Sequence, residues 1–170
     1  KSPMTNEPMG QRLLPAIQVR NSIKAMVESG SLVGHKADAW KQRMEDKEEV
    51  EAMKRRAYAG DESEAFWLGI FYQRGKRGLV QCYERAFMWY KRSADLGGSQ
   101  AMANLGYFYQ HGLGVSRNGG RALFYSTRAA DAGSELACYM LGSFFANGLN
   151  GLDKDEAEAT KWFKRMPECD

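Results

Sequence analysis

The residues of this chain that could do chemistry are few and scattered. Its two histidines, His35 and His111, stand far apart, and neither has a cysteine or acidic cluster beside it at metal-ligand spacing. No serine stands in a G-x-S-x-G turn. Gly112-Leu113-Gly114 followed by Gly119-Gly120 has the glycine content of a phosphate-cradling loop. It follows a predicted helix rather than a strand, however, and lacks the lysine. Cys82, in a polar connector, is the cysteine expected to be most exposed, yet no base accompanies it to activate it. These patterns predict no catalytic residue, no metal, no cofactor and no activity from this chain. What remains is recognition by surface. Trp67, Ile70 and Arg74, then Asn104, Tyr107 and His111, then Met140, Ser143 and Asn147 form a stripe of aromatic, basic and amide side chains. Such a stripe suits a peptide or an exposed helix. The competing reading places Trp67, Ile70 and Tyr107 in a core.

Only a repeating scaffold could align these residues, and the chain repeats. Leu68-Gly69, Leu105-Gly106 and Leu141-Gly142 recur at intervals of 37 and 36 residues, and Gly75, Gly112 and Gly148 keep the same interval. Tyr72, Tyr109 and Phe145 recur with them, as do Ala86, Ala122 and Ala159. A fixed period of this length predicts a solenoid. We read three helix pairs, at 61–97, 98–133 and 134–166. Asp61 or Ser63 begins the first pair, and Asp153 or Asp155 caps the last helix. A glycine inside a helix costs about 1 kcal/mol relative to alanine. Gly69, Gly106 and Gly142 therefore predict a partner helix too close for a Cβ. Gly75, Gly112 and Gly148 are expected to end the first helices in the left-handed conformation. The last helix, Lys161 to Met166, is expected to expose Trp162 and Phe163 unless more chain or a partner covers them.

The motif LG-x-x-Y/F, then G-x-G-V/L, then A-x-x-W-like and AA-x-x-G, resembles the Sel-one-like repeat (SLR) family, related to the tetratricopeptide repeat. The resemblance covers residues 61–166. It implies an all-α fold, an α/α right-handed superhelix, whose concave face is lined by the first helices and binds protein partners. Asn118 departs from the acidic residue usual in the connector. Gly119-Gly120 and the first connector, which lacks the usual Asp, are further departures.

The N-terminal part, residues 1–34, reads differently. Pro3, Pro8 and Pro15 oppose a regular helix there, Asn6-Glu7-Pro8 reads as a turn and Leu13-Leu14 as a short strand. A helix begins at Ala16, with Ile17, Val19, Ile23, Met26 and Val27 near helical spacing and Gly30 at its end. S-P-M-T-N-E-P-M, then L-L-P and V-R-N-S-I, resembles the second half of a U-box, the metal-free relative of the RING domain. That resemblance implies that Pro3, Met4, Thr5 and Asn6 form the second docking loop for a ubiquitin-conjugating enzyme, within a ubiquitin ligase. Ala16 departs from the family's usual Asn, and the family's first loop and central helix have no counterpart in these residues. Residues 35–60 predict a polar helix. Ala57 and Gly60 precede Ala94 and Gly97 by one period, so this helix is expected to cap the array in place of a second helix.

The 24 basic and 21 acidic side chains are interspersed, giving a formal charge of +3 and no reason to expect nucleic acid or an anionic membrane as partner. No apolar run reaches the length of a membrane span. Three widely spaced cysteines, Cys82, Cys138 and Cys169, point to a reducing compartment. A cytoplasmic location is expected, with an organellar site inside a large complex as the alternative. The start at Lys1 and the stop of the last repeat at Met166-Pro167 point to a fragment. The function expected is a protein-interaction scaffold, the partner-binding arm of a U-box ligase in the full-length protein. The alternative is a structural subunit or assembly factor held in a large complex.

Overall fold

The computed structural model describes residues 9–166, and side chains from residue 16 onward. Among these, every regular element is a helix: α1 (Met9–Glu28), α2 (His35–Tyr58), α3 (Glu62–Arg74), α4 (Tyr83–Asp95), α5 (Ser99–His111), α6 (Gly119–Asp131), α7 (Glu135–Asn147) and α8 (Glu156–Lys164). The chain divides into two compact units, residues 1–46 and 47–170, with the boundary inside α2.

In the first unit α1 runs unbroken through Leu13, Leu14 and Pro15, where a strand was expected. Proline removes one N–H from the helical ladder but leaves the rest of the bonds to its neighbours. The Gln, Arg, Leu and Ala residues around it are good helix formers, and their preference prevails. The helix ends as expected: Gly30 has φ 73°, and the Leu32 N–H closes the turn on the Met26 carbonyl at 2.9 Å. Ile17, Val19 and Met26 are largely exposed, whereas Ala37 is buried. Pro3, Met4, Thr5, Asn6 and the predicted turn at Asn6-Glu7-Pro8 lie outside the described residues.

The second unit is three helix pairs. α3 packs on α4, α5 on α6 and α7 on α8, while α4 and α6 each pack on the first helix of the next pair. The period is written in the backbone hydrogen bonds. After each first helix the N–H of Lys76, Leu113 or Leu149 returns to Phe71, Phe108 or Phe144. The connector then docks through Cys82, Asn118 or Asp155, whose N–H groups reach the Tyr72, Tyr109 and Phe145 carbonyls at 2.9 Å in every copy. Gly112 ends α5 at φ 71°, with Gly75 and Gly148 equivalent. Asn118, the departure from an acidic residue, keeps the capping chemistry: its side chain accepts from the Arg121 N–H at 2.9 Å.

The helical glycines sit at close crossings. A Cβ on Gly69 would stand 2.6 Å from the Tyr90 ring, one on Gly106 would meet Ser126 Oγ, and one on Gly142 would meet the Phe163 ring. The Phe163 side chain is therefore half-buried rather than displayed, and Trp162, under the Arg165 guanidinium at 4.6 Å, is half-buried too. The core is filled chiefly by Leu68, Leu105 and Leu141 with Tyr90, Phe108 and Phe144, all fully buried.

The second half of α2 follows the same register. Asp61, Gly98 and Ser134 each donate a backbone N–H to the carbonyl five residues back, at Arg56, Ser93 and Ala129. Val50, Met53 and Ala57 are buried, and Arg92 of α4 reaches α2 through bonds to the Ala57 carbonyl (2.9 Å) and the Tyr58 carbonyl (3.0 Å).

Candidate functional site

The first helices α3, α5 and α7 present one face, and their N-terminal turns are fixed by different means. Asp61 caps α3 by accepting from the Glu64 N–H at 3.0 Å, and Ser134 caps α7 by accepting from the Ala137 N–H at 3.4 Å. Gly98 precedes α5 without a side chain, and the space a Cβ would need is taken by the Glu62 carboxylate. That carboxylate accepts a hydrogen bond from the buried Ser93 hydroxyl at 2.6 Å, tying the start of α3 to α4.

Two adjoining hollows open along this face. One, of about 390 Å³, lies between α3 and α5 and includes Glu62, Phe66, Trp67, Ser99 and Gln100. The other, of about 430 Å³, lies between α5 and α7 and includes Phe66, Gln100, Asn104, Glu135 and Leu136. Phe66, Ser99 and Gln100 line both, which makes them one recess.

Two of the predicted stripe residues enter it, Trp67 and Asn104. Trp67 is 50% exposed and packs edge-on against Phe66, with ring centres 5.9 Å apart. Asn104 spends an amide N–H on the Gln100 carbonyl at 2.9 Å. Tyr107, 40% exposed, lies further along α5 against the His111 ring, with centres 4.2 Å apart. Ile70 and Ser143 are half-buried, and Arg74, His111 and Asn147 are exposed, all outside the recess. Asn147 donates to the Ser143 carbonyl at 2.9 Å. Met140 is only 5% exposed and belongs to the core, so it offers nothing to a partner. Its position corresponds to Trp67 and Asn104, but a flexible thioether fills an internal gap where a rigid indole or an amide stays out.

The recess also holds residues that the stripe leaves out. Ser63, Gln100 and Leu136 occupy equivalent positions one helical turn before Trp67, Asn104 and Met140. Carrying the helical spacing back by one turn would have found them. With aromatic and aliphatic walls, the two amides of Gln100 and Asn104 and the two carboxylates of Glu62 and Glu135, the recess can hold an extended segment or a helix edge. No group of three or more His, Cys, Asp or Glu that could hold a metal ion occurs among the described residues. Cys82 is half-buried and Cys138 buried, and the Cys82 thiol donates to a Glu84 carboxylate oxygen at 3.2 Å. No described helix is long and apolar enough to cross a membrane.

The Sel1 repeat family matches residues 65–98, 99–134 and 136–166, more than half of the chain. The chain is 34% identical to the crystal structure of a Sel1 repeat protein from Oxalobacter formigenes, covering 69% of this chain and 86% of that one with a TM-score of 0.60. It is 26% identical to c5321, a protective antigen of uropathogenic Escherichia coli displaying an SLR fold, covering 86% of this chain and 32% of that one with a TM-score of 0.67. A stretch of 74 residues, 44% of the chain, is 31% identical to the ERAD-associated E3 ubiquitin-protein ligase component HRD3A of Arabidopsis thaliana. It spans 11% of that relative's length.

Proposed function

Because this chain belongs to the Sel1 repeat family, a protein-interaction scaffold type, we propose that it is the partner-binding arm of a ubiquitin ligase assembly. The observation that carries the reading is the recess across α3, α5 and α7, with half-exposed Trp67 and Leu136 at its two ends. Supporting the ligase context are the likeness of 74 residues to the ligase component HRD3A and the U-box-like residues of segment 1–34. In this reading the second half of α2 caps the array, residues 61–166 hold the partner, and the N-terminal segment belongs to the surface that meets a ubiquitin-conjugating enzyme. The site of action is the cytoplasm.

A second reading, a structural subunit of a large complex, draws on α1, whose exposed Ile17, Val19 and Met26 suit an anchoring contact. One experiment separates the two. Tagged chain and a Trp67→Ala, Leu136→Ala variant are used to capture proteins from the native extract, with quantification of every species. The scaffold reading expects a defined set lost from the folded variant, including conjugating enzymes or ubiquitylated proteins. A captured set unchanged by the variant refutes the recess as the binding site. A set lost only when Ile17 and Met26 are replaced by serine favours the structural subunit.

A further inference from the structure

A third hollow, of about 360 Å³, opens between the end of α2 and α4 and shares no lining residue with the recess on α3, α5 and α7. Its walls are the rings of Tyr58, Tyr72 and Trp89 with Met88, and three cations line it, Lys54, Arg85 and Arg92, without a carboxylate among them. The cations are held in place by their own contacts. Arg92 donates to the Ala57 and Tyr58 carbonyls and its guanidinium lies over the Tyr58 ring at 4.9 Å. Neither carbonyl cancels its charge. Lys54 pairs with Glu51 at 2.8 Å, which stands outside the lining, and that bond holds the ammonium above its ordinary pKa. Arg85 lies over the Tyr72 ring at 5.6 Å and makes no ion pair among the described residues.

The later copies of the same place provide an internal comparison. Lys91, Tyr109, Arg121, Phe124, Tyr125 and Arg128 repeat Lys54, Tyr72, Arg85, Met88, Trp89 and Arg92. Tyr58, however, is Asp95 in the next copy and Asp131 in the one after. Asp95 pairs with Lys91 at 3.0 Å, and Asp131 pairs with Arg165 at 3.6 Å. In the second copy Arg121 also donates to the Tyr109 hydroxyl at 2.9 Å, and the Tyr109 and Tyr125 rings stack at 5.7 Å. In each later copy the aspartate at this place thus answers one cation from within. The first copy has an exposed ring at that place, Tyr58 at 65%, beside Met88 at 69%. Lys54 takes its carboxylate from Glu51 instead, and Arg85 and Arg92 face no carboxylate within the lining.

We propose that the recess between α2 and α4 docks an acidic peptide segment that carries a large apolar side chain next to its carboxylates. Arg85 and Arg92 meet the carboxylates, and Arg92 stands at the place where, in the third copy, Arg165 has Asp131. The apolar side chain lies against Trp89, Met88 and Tyr58, where an arginine-flanked aromatic wall favours it. No glycine-rich turn lines the hollow, so it lacks the backbone cradle by which nucleotide phosphates are usually held. This site is separate from the recess on α3, α5 and α7 and stands or falls independently.

The test uses the full 170-residue chain and a fluorescein-labelled peptide, Asp-Asp-Leu-Phe-Asp-Glu, in fluorescence anisotropy, against a control peptide with Asn and Gln for the acids. The acidic peptide should bind at least about tenfold more tightly than the control, and added salt should weaken it. Arg85→Gln should weaken binding by a similar factor, and Tyr58→Asp, which installs the missing carboxylate, should abolish it. Arg121→Gln, the same change one copy later, should leave binding unaltered. Circular dichroism establishes that each variant is folded, and Arg85→Gln decides the matter should Tyr58→Asp fail to fold. Equal affinity for the two peptides overturns the proposal, as does equal loss in Arg85→Gln and Arg121→Gln, which would mean unspecific attraction. Displacement of the peptide by ATP at lower concentration than by unlabelled peptide would assign the hollow to a nucleotide instead.

Discussion

Replacing Gly69 with alanine tests whether the helix crossing, rather than the helix itself, dictates the glycine. At an open helical position this change stabilises by about 1 kcal/mol, since alanine has the higher helix propensity. At Gly69 the new Cβ would stand 2.6 Å from Cδ1 and Cε1 of Tyr90, whereas carbon atoms rest at about 3.5–4.0 Å. The ring would have to retreat by about 1 Å, and it has no room. Tyr90 is fully buried, packed against Phe66 at 5.9 Å and Phe108 at 5.3 Å, with its hydroxyl bonded to Gln73 Oε1 at 2.5 Å. Overpacking of this kind costs about 1–3 kcal/mol. Set against the propensity gain, Gly69→Ala should destabilise by up to about 2 kcal/mol, lowering the urea midpoint by up to about 1 M at unchanged slope. In a Tyr90→Ser background the obstacle is gone, and the same alanine should now stabilise by about 1 kcal/mol. A double-mutant cycle read by urea denaturation therefore expects coupling of about 1–3 kcal/mol. An alanine that stabilises in both backgrounds, or destabilises equally in both, would refute the crossing as the cause.

Three further outcomes follow from the same contacts. Arg92→Ala removes two hydrogen bonds to the end of α2 and should cost about 1–3 kcal/mol, with faster amide exchange at Gly60 and Asp61 as its local signature. Burial holds the Tyr90 phenol far above its ordinary value. Below about pH 10 the phenol is neutral in folded and unfolded chains alike; above it only the unfolded chain releases the proton. Stability should therefore decline as pH rises beyond about 10, and Tyr90→Phe should flatten that decline in denaturation curves taken from pH 8 to 11. Asp155→Ala removes the cap at the start of α8, where the carboxylate accepts from the Glu158 N–H at 2.9 Å. It should lower stability by about 1 kcal/mol, and Asp155→Asn should restore most of that.

The array was readable because its constraints recur. Three glycines at one place in three helices have a single physical cause, and Tyr90, Ser126 and Phe163 duly stand across from them. The same holds for the connector ends, where Asn118 changed the residue type without changing the hydrogen bond. The readings that failed lie where the copies differ or where nothing recurs. Pro15 on its own suggested an interrupted chain, but one proline does not outweigh the helix formers on both sides. Met140 was placed on the concave stripe by equivalence with Trp67 and Asn104, yet equivalent positions have different neighbours, and a flexible apolar side chain turns into the core. The hollow beside Tyr58 was not legible, because it depends on which side chain of α2 faces Arg92 across two helices.

The bond that leaves Asp61, Gly98 and Ser134 for the carbonyl five residues behind is the same bond three times. It is a standard coupling. Any helix pair that arrives with this fitting at one end and offers it at the other can follow any other such pair. A chain with one such unit duplicated or deleted is therefore expected to fold, since its new neighbours would meet through the same joint. Length then becomes a quantity that changes in whole steps of one unit.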